Sequence, residues 1–110
     1  MKMIGALPRS MEAKAVGNQL VRSGTAVGAN YRATCRARSR AEFIAKMGIV
    51  EEEADESAFW LELIIESKLL SPDRVQPLLN EANELVAIMA ASRISAARNK
   101  SAFPNRQSEI

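Results

Sequence analysis

Five arginines, Arg22, Arg32, Arg36, Arg38 and Arg40, hold most of the chemistry this chain has to offer, and the last four cluster around a break between two helical patterns. Guanidinium groups this close repel one another unless phosphates or carboxylates lie between them. As a nucleic-acid site they would contact backbone phosphates and give little base specificity. Tyr31 is the one aromatic inside the basic stretch, so stacking support for single strands is thin. Two blander readings stand beside this one. The arginines pair with Glu51, Glu52, Asp55 or Glu56 of a neighbouring helix or subunit, or they are simply solvated.

Other chemistries are poorly supplied. The acidic run Glu51-Glu52-Glu53-Ala54-Asp55-Glu56 suggests carboxylate ligands, but bundle di-iron sites need Glu-x-x-His pairs and the chain has no His. Without His the usual zinc sets are also missing. Cys35 is the single cysteine, which excludes an internal disulfide, and no imidazole is present to activate it. Acid–base catalysis by carboxylates needs a pocket and a raised pKa, and no pattern indicates either. The expectation is therefore a protein without enzymatic activity, cofactor or metal. Phe59 and Trp60 serve either the core or a subunit interface, where Trp is enriched among energetic hot spots.

Three helical segments must position these residues. The first runs from about Met11 to Cys35, with Ser10 as N-cap and Ala13, Val16, Leu20, Val27 and Tyr31 at three- and four-residue steps. Beside them Gly17, Val21, Gly24 and Gly28 leave one face almost bare. Each glycine costs a helix interior roughly 1 kcal/mol against alanine, so a partner helix packed unusually close is the expected compensation. The second helix runs from about Arg40 to Leu69 or Leu70, with Ser39 and Glu42 at capping-box spacing. Phe43, Met47, Val50, Ala54, Ser57, Leu61, Ile64 and Lys68 form its seam. Ser71-Pro72-Asp73 stops and restarts the chain, and a third helix follows to about Ala97 on a face of Val75, Leu78, Leu79, Ala82, Leu85, Val86 and Met89. Residues 1–98 form one bundle domain, and residues 99–110 are expected to be a frayed tail.

The net charge of +2 hides segregation: +7 over residues 1–50, −8 over 51–84 and +3 over 85–110. Such an arrangement can orient subunits head to tail as readily as it binds nucleic acid. No stretch approaches the roughly 18 unbroken apolar residues needed to span a membrane. The amino terminus lacks the apolar core of a signal peptide, so a bacterial-type cytoplasm is the expected compartment.

Gln19-x-x-Arg22-Ser23, Val27-Gly28-Ala29-Asn30 and Arg38-Ser39-x-x-Glu42-Phe43, with Glu56 and Leu70-Ser71, resemble a bacterial family across Leu7 to Ala97. These are small four-helix-bundle proteins first noticed as reading frames inside intervening sequences of large-subunit ribosomal RNA genes. The resemblance implies an all-α, up-and-down antiparallel bundle that assembles as a homopentamer. It also implies kinship with the accessory subunit of diversity-generating retroelements, which binds nucleic acid and a reverse transcriptase; RNA, DNA or a protein partner are the implied ligands. Two departures stand out. Members usually carry a whole helix before the segment matching Leu7 to Arg9, whereas here Ile4 and Leu7 form only a stub. A start placed too late or a shortened chain would produce this, and an apolar groove would remain, filled by a neighbouring subunit or loosely packed. The acidic Glu52 and Glu53 also stand where many members have small residues.

Overall fold

In the computed structural model, which describes residues 2–98, the chain forms α1 (Lys2–Gly5), α2 (Met11–Cys35), α3 (Arg40–Glu66) and α4 (Pro72–Arg98). No strand occurs among the described residues. Residues 99–110, the expected tail, lie outside them.

The helix starts follow the sequence closely. Ser10 is extended and its Oγ accepts from the Ala13 N–H at 3.1 Å. Ser39 is extended likewise and accepts from the Glu42 N–H at 3.1 Å. Each hydroxyl satisfies one of the donors that a helix start leaves open. The end of α3 comes earlier than its apolar pattern suggests. At Lys68 the chain turns left-handed (φ 58°), the Leu69 N–H reaches the Ile64 carbonyl and the Lys68 N–H the Ile65 carbonyl, both at 3.0 Å. That pair of bonds is a Schellman stop, and Ile64 and Leu69 supply its usual apolar contact within one cluster. Lys68 is therefore exposed, not part of the α3 seam.

The central element is α3: α2 and α4 each pack along it, while α2 and α4 barely meet. Met47, Val50, Ala54, Ser57, Leu61 and Ile64 are all buried, as the seam predicts. Against them lie Ala13 and Leu20 of α2 and Val75, Leu79 and Met89 of α4. Tyr31 departs from the expected core face of α2 and is 47% exposed. The α2–α3 crossing uses hydroxyls: Ser57 Oγ lies 2.8 Å from Ser23 Oγ, and Ser23 Oγ donates to the Leu20 carbonyl. Both serines are buried, and small side chains there let the two helices approach closely.

Between α2 and α4, above α3, runs an apolar trough of about 190 Å³ lined by Leu20, Gly24, Val27, Leu61, Ala82 and Leu85 among others. The stub sits beside it. Met3, Ile4 and Leu7 pack on the cluster of Leu20, Leu61, Ile64 and Val75. A Cβ on buried Gly17 would meet Leu7 Cδ1 at 3.1 Å and Ile4 Cγ2 at 3.8 Å, so the close partner of this glycine is the stub and its turn, not a long helix. Gly24 is half-buried and lines the trough. Gly28 corrects the expected stripe: it is exposed, and a Cβ there would meet nothing within 4 Å. Among the described residues, nothing packs closely on Gly28.

Candidate nucleic-acid interface

The arginine cluster does not act as a unit. Arg22 lies ten residues before Arg32 on α2, which at 1.5 Å per residue places it roughly 15 Å away along the helix. Its Nη1 donates to Glu53 Oε2 at 3.0 Å, its Nη2 reaches Glu53 Oε1 at 3.4 Å, and Nη2 also bonds Glu56 Oε2. Glu56 accepts in addition from Trp60 Nε1 at 3.3 Å. Arg22 thus clasps α2 to α3 through Glu56, one of the acids the pairing reading names, and through Glu53, which it does not name. Arg40 faces the other neighbour: its Nη1 lies 3.5 Å from the Ala96 carbonyl in the last turns of α4, which leave carbonyls without intrahelical donors.

Arg32, Arg36 and Arg38 are the ones brought together. With Ala29, Ala33, Glu42 and Lys46 they line one open depression of about 640 Å³ where α2 hands over to α3. The local fold explains the convergence. Arg32 lies in the last turn of α2, and Arg36 caps that helix with its backbone N–H on the Ala33 carbonyl at 3.1 Å. Ala37 turns back onto Thr34, which throws Arg38 across the same surface, and Ser39 then starts α3. Glu42 and Lys46 follow one helical turn apart on α3, four residues being the spacing of neighbours on one face. Among the described residues none of Arg32, Arg36, Arg38 and Lys46 forms an ion pair, and the depression carries four cations against one carboxylate.

Lys46 was not among the residues expected from the sequence. The signal that could have found it is its four-residue step from Glu42, whose backbone N–H bonds the Ser39 cap of the same helix. The acidic run has other partners than the basic turn: Glu53 and Glu56 hold Arg22, and Glu51 Oε1 accepts from Arg93 Nε at 2.8 Å. That hydrogen bond, then the charge of Glu51, raises the pKa of the Arg93 guanidinium, which is cationic throughout the working range in any case. No group of His, Cys, Asp or Glu capable of holding a metal occurs among the described residues.

Phe59 is exposed and meets half-buried Trp60 edge to face, with ring centroids 4.9 Å apart. Trp60 packs on the core cluster, so the two rings lie at the boundary between core and surface. No described helix is long and apolar enough to cross a membrane.

Residues 1–91 match the family described as 23S rRNA-intervening sequence protein. Among solved structures, the chain is similar to a protein of unknown function from the S23 ribosomal protein family of Bacteroides thetaiotaomicron. The two share 35% identity over 71% of this chain and 72% of that one, with a TM-score of 0.68. None of the curated proteins matches. With most of its length matched and its helices superposed on those of such a relative, this chain belongs to the 23S rRNA-intervening sequence protein family.

Proposed function

We propose that this protein is a non-enzymatic, self-assembling bundle, acting in the cytoplasm, whose basic end contacts the phosphates of RNA or DNA or docks an enzyme that works on them. The observation that carries the reading is the separation within the arginine set. Arg22 and Arg40 have partners inside the fold, whereas Arg32, Arg36 and Arg38 share an open depression with Lys46 and lack carboxylate partners among the described residues. Mutually repelling cations held on helix ends and a short turn are stabilised by an external polyanion. Contacts of this kind hold phosphates without reading bases.

Self-assembly is supported by apolar surface. The trough between α2 and α4 is open, and Phe59 and Ile88 are each more than half exposed. A pentamer is the assembly that the family resemblance implies. This surface also favours a second reading, a purely protein-binding or structural oligomer that makes no nucleic-acid contact. Filter binding over a salt series separates the two. Affinity that falls steeply with salt, and falls less steeply in the R36A/R38A variant, supports phosphate contact; absence of binding at low salt supports the structural oligomer.

A further inference from the structure

Resting on the phosphate-contact reading, we infer that the basic end is shaped for the sugar–phosphate backbone of a double helix rather than for a single strand. Single-strand sites combine cations with aromatic platforms, on which each stacked base contributes about 1–3 kcal/mol. Among the described residues the depression has no aromatic lining; between its charged groups lie only Ala29 and Ala33. Tyr31 is adjacent to Arg32 in sequence, but a single helical step turns it about 100° around α2, and it does not reach the depression. The shape points the same way. An open depression receives a convex ridge, and the backbone of a duplex is such a ridge, whereas base edges are read by an element that enters a groove.

Charge density reinforces the choice. A duplex presents one phosphate per about 1.7 Å of axis, against about 3.4 Å for one strand, so the same cations sit in a denser field of negative charge. Glu42 is the informative exception. Its carboxylate shares the depression with the four cations and forms no ion pair among the described residues. It therefore opposes the incoming phosphates and holds affinity down. Its backbone N–H, not its carboxylate, bonds the Ser39 cap, so Glu42→Gln keeps the helix start intact.

The test is fluorescence anisotropy over a salt series with the full chain. The probes are a short mixed-sequence RNA duplex, the DNA duplex of the same sequence, and the separated strands. Both duplexes are expected to bind at least about tenfold more tightly than the strands at low salt. R36A/R38A is expected to flatten the log–log salt slope by about 2, and E42Q to bind about threefold more tightly at low salt with little change of slope. Strands that bind as well as duplexes, with R36A/R38A still flattening the slope, would overturn the duplex inference and leave the phosphate reading standing. R36A/R38A and E42Q variants that are both indistinguishable from wild type would place the duplex elsewhere on the molecule. Failure of every probe to bind at low salt would remove the phosphate reading itself.

Discussion

Arg22 and Arg32 are the same residue type on the same helix, yet the fold gives them different tasks. Arg22 is half exposed and bonds two partly exposed glutamates, so solvent screens most of the Coulomb energy. R22A is expected to cost about 0.5–1 kcal/mol in urea unfolding and to leave nucleic-acid affinity unchanged. The sequence separates these roles poorly: spacing placed Arg22 upstream of the cluster, but only packing shows that α3 turns Glu53 and Glu56 toward it. Glycine spacing has the same limit. It puts Gly17, Gly24 and Gly28 on one stripe without saying which of them is covered. G28A, with open space for its Cβ, is expected to stabilise the chain by about 0.5–1 kcal/mol. G17A is expected to gain less or to lose stability, because Leu7 must move away from a 3.1 Å approach. Paired urea melts read both.

At the level of the helix, what the chain announces locally was legible and what depends on neighbours was not. Ser10 and Ser39 cap as their side-chain chemistry dictates. The α3 seam was legible because six apolar or small positions recur with helical period, and burial follows that period. The α3 terminus was not, because Leu69 and Leu70 continue the apolar pattern while the backbone has already reversed at Lys68. A non-glycine residue there bears a left-handed conformation that glycine adopts freely. K68G is expected to stabilise the fold by about 1 kcal/mol, measured as a shift in the denaturation midpoint at constant slope. Nothing in the local sequence shows that the helix runs through Pro77. It lies inside α4, exposed, where proline removes one backbone hydrogen bond, and the apolar period on either side carries the helix through it.

For the whole molecule, the three long helices form two sides of contact around α3, with the stub at one end of an otherwise open trough. Bundle topology was legible from short connections and alternating patterns. The place of the basic end was not, because it needs α2, its turn and α3 in register. The open apolar surface leads to an expectation about assembly: in sedimentation the chain should exceed its monomer mass of 12.0 kDa, and I88E, at a position 56% exposed, should shift it toward monomer with little loss of helix. A monomeric wild type would contradict self-assembly while leaving the basic end untouched. The most direct test of the account as a whole is the pattern of binding loss among single alanine variants of Arg22, Arg32, Arg36, Arg38, Arg40 and Lys46, measured against an RNA duplex at low salt. The loss should concentrate at Arg32, Arg36, Arg38 and Lys46 and spare Arg22; an even loss across all six, or one centred on Arg22, would contradict it.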